Sequence, residues 1–495
     1  MASLLFVHNN FPAQLGLIAN AMGARGHDCR AVSSVTGREL AGIPLVRWGG
    51  IRGSTPGIFA PAVRAEADFI RGSAAAQAAL GLREGGFMPD VIVGHPGWGE
   101  TIFLGEIFPK ARQVAYAEYY YRAHGGDVGF DPEFKAPSLD EKFRVHAKNA
   151  TMAMAFGEAD RIVAPTPFQA GLLPVAFRSR TAIIHEGVDT DLVRPAPNAR
   201  LTVAGRTLDR STPIITFINR RFEPLRGYHV FMRALPRVLA QVPEAEILLI
   251  GSERQGGYGL PPPKGATWKQ LFLDEVKDSI DPSRVHFTGP LPHGEMLAAL
   301  SLSWAHVYYT YPFVLSWSLL EAMASECLVI ASDTAPVRDA IRSGENGLLL
   351  DFFDHDALAE ALVEACRTPE RFAPLRKAAR ETVVADFNRA QCSAPGSICW
   401  RGSAHRAEAS VAAMSRCDGS AYAGAAVPRS GPNSPQPLAA TNKGWASGQD
   451  NRLRRARWRA PVATRDGARH SERGRTRRPH RPAREGQRRA GGSRP

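Results

Sequence analysis

The 495-residue sequence contains no apolar run near the roughly 20 residues that a membrane-spanning helix needs. No charged-then-apolar leader is expected, because Leu4-Leu5-Phe6-Val7 reads directly as a buried strand. Cysteine is scarce: Cys29, Cys327, Cys366, Cys392, Cys399 and Cys417 lie scattered, without the paired spacing of a zinc site or the density of a disulfide framework. These absences exclude a polytopic membrane protein and a disulfide-stapled scaffold. They lead us to expect a cytoplasmic protein, with peripheral association at the inner membrane face as the alternative. No Asp-x-Asp motif is placed at a strand end, so no metal is expected in the chemistry.

Charge is present in excess, yet in one place. The formal net charge of +13 suggests a nucleic-acid or anionic-surface binder. Residues 391–495, however, carry 20 Arg and 1 Lys against 3 Asp and 3 Glu, a net of +15, which leaves −2 for residues 1–390. The body is thus near neutral, and no specific nucleic-acid partner is expected for it. The tail is rich in Ala, Arg, Gly, Ser and Pro without hydrophobic period, a composition expected to stay disordered. A GC-rich reading frame read out of register gives the same composition. We therefore hypothesise a frameshifted end from near Cys392, which a helix-like continuation in another frame of the gene would support and its absence would sink.

Along the body, short apolar runs alternate with helix-compatible segments. Strands are expected at 3–8, 29–33, 89–95, 113–121, 160–164 and 181–185, with helices at 13–25 and 149–159. After an aperiodic stretch at 196–212, a second series begins: strands at 214–219, 246–251, 284–289, 306–309 and 328–332, and helices at 228–241, 294–302, 318–325 and 356–368. Such alternation argues for doubly wound parallel sheets. The expected organisation is α/β, with a Rossmann-like domain at 1–195, a linker at 196–212, a second Rossmann-like domain at 213–390 and a basic tail at 391–495.

Two segments carry chemistry. The first runs from Tyr311 through Phe313, Val314, Ser318, Leu319, Leu320 and Glu321 to Ala324, a loop feeding a helix. Its free N–H groups and positive dipole end can hold a diphosphate, and an early carboxylate can bind ribose hydroxyls. The competing reading is an ordinary Ser318–Glu321 capping box. The second segment, from Arg220 to Gly227, follows a strand and places Arg221 and Arg226 where two guanidinium groups can clamp a pyrophosphate; a solvated charge cluster is the alternative.

Together these segments resemble the donor site of family 4 (group 1) glycosyltransferases. Glu321-Ala322-Met323-Ala324 with Ser332-Asp333 matches the family's second glutamate, Ala-Met-Ala and closing strand, while Arg221 and Arg226-Gly227 match its Arg, four residues, Lys, Gly, with Arg in place of Lys. Residues 159–166, 185–189 and 344–349 are similar in the same order, Glu186 standing where the family has Asn. The resemblance covers most of residues 1–385 and implies two domains of the GT-B type facing a cleft. It implies that Glu321 holds the ribose, that amides around Ser318, Leu319 and Leu320 hold the phosphates, and that Arg221 and Arg226 neutralise the leaving diphosphate. The family's first glutamate falls on Phe313, so backbone groups near Phe313 and Val314 would replace it. No segment resembles the helix with which relatives cross back to their first domain.

In the first domain, His95 and Glu118 stand at strand ends where ligands bind in open sheets, as does the loop 9–16, which keeps Ala13 and Gly16 in place of the family's glycine pair. Either side chain can contact the transferred sugar or orient an acceptor hydroxyl. A structural hydrogen bond for His95 and an ion pair of Glu118 with Arg122 are the alternatives. The function implied is retaining transfer from a nucleotide-diphosphate sugar, used as co-substrate without a bound cofactor, to a carbohydrate, lipid-linked or small-molecule acceptor. A same-fold epimerase, a phosphorylase or a tail-mediated anion binder are the rival readings.

Overall fold

The computed structural model describes residues 1–253 and 257–392; the tail expectations from residue 393 onward lie outside them. The first lobe is a seven-stranded parallel sheet of β1 (Ser3–Val7), β2 (Asp28–Ser34), β3 (Leu45–Trp48), β4 (Val91–Gly94), β5 (Arg112–Tyr116), β6 (Arg161–Ala164) and β7 (Thr181–Ile183), in the order β3-β2-β1-β4-β5-β6-β7. Its strands alternate between two cores. Leu4 and Phe6 pack on one face with Leu15, Ala19 and Met22, and Leu5 and Val7 pack on the other with Ala75, Ala79 and Leu82. Burial on both faces is why these strands read as continuous apolar runs. The covering helices are α1 (Gly16–Ala24), α2 (Val63–Glu84) and α3 (Leu139–Glu158), the last opened by a Ser138–Glu141 capping box.

An antiparallel hairpin, β8 (Leu201–Val203) and β9 (Arg206–Leu208), precedes the second lobe. That lobe has β10 (Ile214–Arg221), β11 (Glu246–Ser252), β12 (Val285–Gly289), β13 (Ala305–Tyr308), β14 (Val329–Ser332) and β15 (Leu348–Leu350), all parallel, in the order β12-β11-β10-β13-β14-β15. Helices α4 (Tyr228–Gln241), α5 (Trp317–Ala324), α6 (His355–Arg367) and α7 (Ala373–Asp386) cover it. Among the described residues no helix is long and apolar enough to cross a membrane.

Several expectations change. The stretch 196–212 is not bare linker: Leu201 and Leu208 of the hairpin join a second-lobe core with Ile214 and Leu248. Val188 and Val193 belong to the same core, so the chain passes between the lobes before residue 196. Strand β5 ends at Tyr116 rather than at Tyr121, leaving Glu118 outside the sheet. A return to the first lobe also exists. After α7, the Phe387 carbonyl accepts the Val188 amide at 2.7 Å and the Arg389 amide donates to the Val188 carbonyl at 2.9 Å. Cys392 then lines a small cavity with Leu15, Ile18 and Val163. This segment carries no motif because its bonds are mostly main-chain.

Candidate active site

In open parallel sheets, ligands bind beyond the carboxyl ends of the strands where strand order reverses. Here the reversals fall between β1 and β4 and between β10 and β13. His95 follows β4 directly, Glu118 lies just past β5, Arg221 ends β10, and Phe313 and Val314 sit in the loop between β13 and α5.

The first-lobe pair is a defined unit. The Gly97 amide donates to Nδ1 of His95 at 3.1 Å, which puts the proton of the neutral ring on Nε2, 3.2 Å from Oε2 of Glu118. Gln14 Nε2 donates to the other carboxylate oxygen at 2.7 Å. Burial disfavours the imidazolium, but the hydrogen bond and charge of Glu118, with the charge of Glu100, outweigh it and hold the His95 pKa above its ordinary value. Burial pushes the Glu118 carboxyl the opposite way, and His95, Gln14 and Lys148 overcome it, keeping that group below its usual range. Glu118 therefore does not pair with Arg122, whose guanidinium donates to the Gly171 carbonyl at 2.7 Å. Glu100 accepts the Asn9 and Trp98 amides at 2.8 and 3.1 Å, and burial raises it to about 6.

His95 and Glu118 share with Phe313 and Val314 a cavity of about 290 Å³, further lined by Arg64, Trp98, Tyr119, Tyr121, Lys148 and Tyr258. Two contacts hold its lobes together. Tyr119 Oη donates to the Pro312 carbonyl at 2.8 Å, and its ring meets the buried Phe313 edge-on with centroids 4.6 Å apart. Arg226 lies behind that wall: its Nη1 donates to Thr310 Oγ1 at 3.0 Å and to the Val314 carbonyl at 3.3 Å, and its guanidinium carbon is 5.6 Å from the Phe313 ring centre. The turn bearing Arg226 needs the glycine that follows. Gly227 has φ +69°, and a Cβ there would fall 2.3 Å from Cβ of Tyr309.

Arg221 is not in the cavity of His95; it lines an adjoining one of about 160 Å³ with Glu223, Glu253 and Lys269. Glu223 links the two arginines. Burial holds its carboxyl above the usual range against the pull of Arg226 and Arg221.

On α5 the cap is Ser316, whose Oγ accepts the Ser318 amide at 3.4 Å, so the Ser318–Glu321 capping box does not form. Glu321 instead lies 2.8 Å from Nε2 of His293, with 16% of its side chain exposed. The Leu319 amide donates to the Ser316 carbonyl at 3.2 Å, and the side chains of Leu319 and Leu320 are fully buried. Ser318 Oγ lies 2.9 Å from Ser316 Oγ. The structure thus gathers His95, Glu118, Phe313 and Val314 in one cavity, sets Arg226 against its wall and places Arg221 in the adjoining one, while Ser318, Leu319, Leu320 and Glu321 line neither.

Sequence reasoning missed Arg64, Lys148, Gln14 and Tyr119, which belong to no local motif. It quoted Glu186 only as a departure. That carboxyl accepts hydrogen bonds from Tyr116 Oη and from the Trp317 side chain at the start of α5, and burial pushes it up to about 7. The loop 122–137 is a strap between lobes. Phe130 stacks on Phe353 with centroids 5.3 Å apart, and Asp131 Oδ2 receives His229 Nε2 at 3.0 Å and Tyr311 Oη at 2.9 Å. Asp131, Glu133 and His229 have the spacing of a metal site, but Glu133 is held by Arg233 at 2.6 and 2.7 Å and the other two by each other.

Comparison with known proteins bears on both lobes. The model described as glycosyl transferase family 4 group matches residues 25–193, and that of glycosyl transferases group 1 matches residues 212–368. The D-inositol 3-phosphate glycosyltransferase of Thermobispora bispora is 28% identical over 222 residues, covering 44% of this chain and 50% of that protein. That of Mycobacterium avium strain 104 is 28% identical over 234 residues, covering 47% and 52%. The chain thus spans about half the length of the curated relatives it matches. The sucrose-phosphate synthase of Thermosynechococcus elongatus shares the fold at a TM-score of 0.60 and 18% identity, over 79% of this chain and 96% of that one. Anabaena HepE, crystallised with UDP-glucose, does so at 0.56 and 15%, over 79% and 97%. With two Rossmann-like lobes of GT-B type, each matched by a family model where its strand ends meet the cavity, the chain belongs to the family 4, group 1 glycosyltransferases.

Proposed function

We propose that the protein moves a glycosyl group from a nucleotide-diphosphate sugar to an acceptor hydroxyl in the interlobe cavity, with retention at the anomeric carbon. The observation that carries this reading is the shared cavity, where His95 and Glu118 of one lobe face Phe313 and Val314 of the other with Arg226 fixed behind Val314. In this reading Arg226 and Arg221 take up charge as the glycosyl-phosphate bond breaks, the step that most needs electrostatic support. Glu321 and the start of α5 bind the nucleoside end, and the leaving phosphate takes the acceptor proton. His95, with a donor proton on Nε2, and Glu118 orient sugar or acceptor hydroxyls. Guanidinium charge does the work that a divalent ion does elsewhere, so no metal is required. The place of action is the cytoplasm.

A thermal-shift screen with UDP, ADP, GDP and their sugars tests the reading, because a ligand that binds the native state at 100 times its Kd adds about 2.7 kcal/mol to stability. A rise with one nucleoside diphosphate is expected, and no rise with any of them would refute it. The anomeric configuration of the product, read by NMR, tests retention.

A further inference from the structure

We infer that His293 is a positioning residue of the donor site: it holds one carboxylate oxygen of Glu321 and so leaves the other for the ribose hydroxyls of the nucleotide. The inference rests on the glycosyl-transfer reading and adds to it the residue that sets discrimination between ribose and deoxyribose. Strand β12 is followed by Pro290-Leu291-Pro292, and the helix His293–Leu302 begins at once. This helix packs beside α5, with its Ala299 and Leu300 in one core with Leu319 and Leu320. Each helix follows a parallel strand, so both begin at the carboxyl end of the sheet, where ligands bind in folds of this kind. His293 and Glu321 meet there, Nε2 lying 2.8 Å from Oε1, while Oε2 has no hydrogen-bond partner among the described residues.

Neither group is spent on the fold. The capping role that Glu321 could have taken at the start of α5 belongs to Ser316. The His293 side chain is 51% exposed, and a pair this open to water adds little to stability. Its effect falls on geometry instead: a glutamate side chain has several torsions to order, and a hydrogen bond made before the ligand arrives lowers the cost of ordering them on binding. The residue type suits that task. A neutral imidazole donates from one nitrogen alone, here Nε2, so it engages one carboxylate oxygen and keeps no second donor for the other. An arginine in its place would span both oxygens with its fork. The free Oε2 accepts a hydroxyl hydrogen bond, which is stronger to a carboxylate than to a neutral acceptor.

The test measures by calorimetry the affinities of UDP, ADP and GDP, and of their 2′,3′-dideoxy counterparts, for the wild-type protein, His293→Ala and His293→Gln, with melting temperature as the control for folding. The wild-type protein is expected to bind one ribonucleotide at least about tenfold tighter than its dideoxy form, on the scale of one hydrogen bond to a charged group. His293→Ala should weaken the ribonucleotide at least about fivefold and leave the dideoxy form within about twofold, whereas a merely structural loss would weaken both alike. Glutamine also carries an N–H donor, so His293→Gln should restore most of the discrimination. In Glu321→Ala the effect of His293→Ala should vanish, because the carboxylate it positions is gone. Equal wild-type affinity for the two forms, an equal loss of both in His293→Ala, or an unchanged ratio between them would overturn the inference. Failure of the wild-type protein to bind any nucleoside diphosphate would instead strike at the transfer reading, so the two failures are distinguishable.

Discussion

The Nε2 atom of His95 lies 3.2 Å from Oε2 of Glu118, while the opposite ring nitrogen accepts the Gly97 amide at 3.1 Å. One hydrogen bond thus fixes the tautomer and the other sets the charge preference of the ring. The pair stands where sugar and acceptor would meet, so its protonation is a direct handle on the site.

Glu118→Gln should lower the His95 pKa below its ordinary value, because burial then acts without the opposing carboxylate. The raised value in the native protein gives stability that is complete below the unfolded pKa and lost as pH rises through the folded one, so the variant should lose stability mainly on the acid side. NMR titration of the ring proton checks this, and an unchanged midpoint would show that Glu118 does not control it.

Arg226→Ala and Arg221→Ala should each reduce turnover at least about a hundredfold, the scale of losing one contact to developing charge. Glu321→Ala should do the same through loss of donor binding. Steady-state kinetics with the nucleotide sugar found by the screen decides the matter. Near-normal rates in Arg226→Ala would remove the role given to its position behind Val314.

Glu186→Gln should flatten the pH dependence of stability. With the folded pKa near 7 and the unfolded one near 4.5, the unfolded chain releases its proton first, so native stability falls between these values and is level above them. The fall amounts to about 3 kcal/mol, an order-of-magnitude figure. Glutamine keeps an acceptor for Tyr116 and Trp317, so urea midpoints at pH 8 should rise. His185, held at about 4 by burial, titrates in the opposite sense in both proteins and cancels in the comparison.

Ala13 adopts φ +36°, a left-handed conformation that costs a residue with a Cβ roughly 1–2 kcal/mol. Ala13→Gly should therefore stabilise the protein by about 0.5–1 kcal/mol after the added chain entropy is counted. At Gly227 the reverse holds, and Gly227→Ala should cost at least about 2 kcal/mol through backbone strain and collision with Tyr309. Melting temperatures of opposite shift are expected, and shifts of the same sign would contradict the backbone reading.

Asp131→Ala removes the acceptor shared by His229 and Tyr311 in a buried setting, at a cost of about 3 kcal/mol. Because Asp131 belongs to the first lobe and both of its partners to the second, scattering should show a larger radius of gyration. An unchanged radius would mean that the packing of Phe130 and Tyr119 holds the lobes without the strap.

By itself, the sequence determined the two strand-helix series, the position of His95 and Arg221 at strand ends, and the glycine after Arg226. These are legible because apolar runs buried on both sheet faces, helix periodicity and turn glycines are local properties of the chain. Helix α4 has the expected bounds for that reason. The tertiary structure alone decided that Glu118 meets His95 rather than Arg122, that Ser316 rather than Ser318 caps α5, and that Glu321 faces His293. It also decided that Lys148 and Arg64 share a cavity and that the chain returns to the first lobe at Cys392. Apart from the Ser316 cap, which is local, each of these is a contact between segments distant in sequence, set by sheet order and side-chain packing, and leaves no periodic trace along the chain.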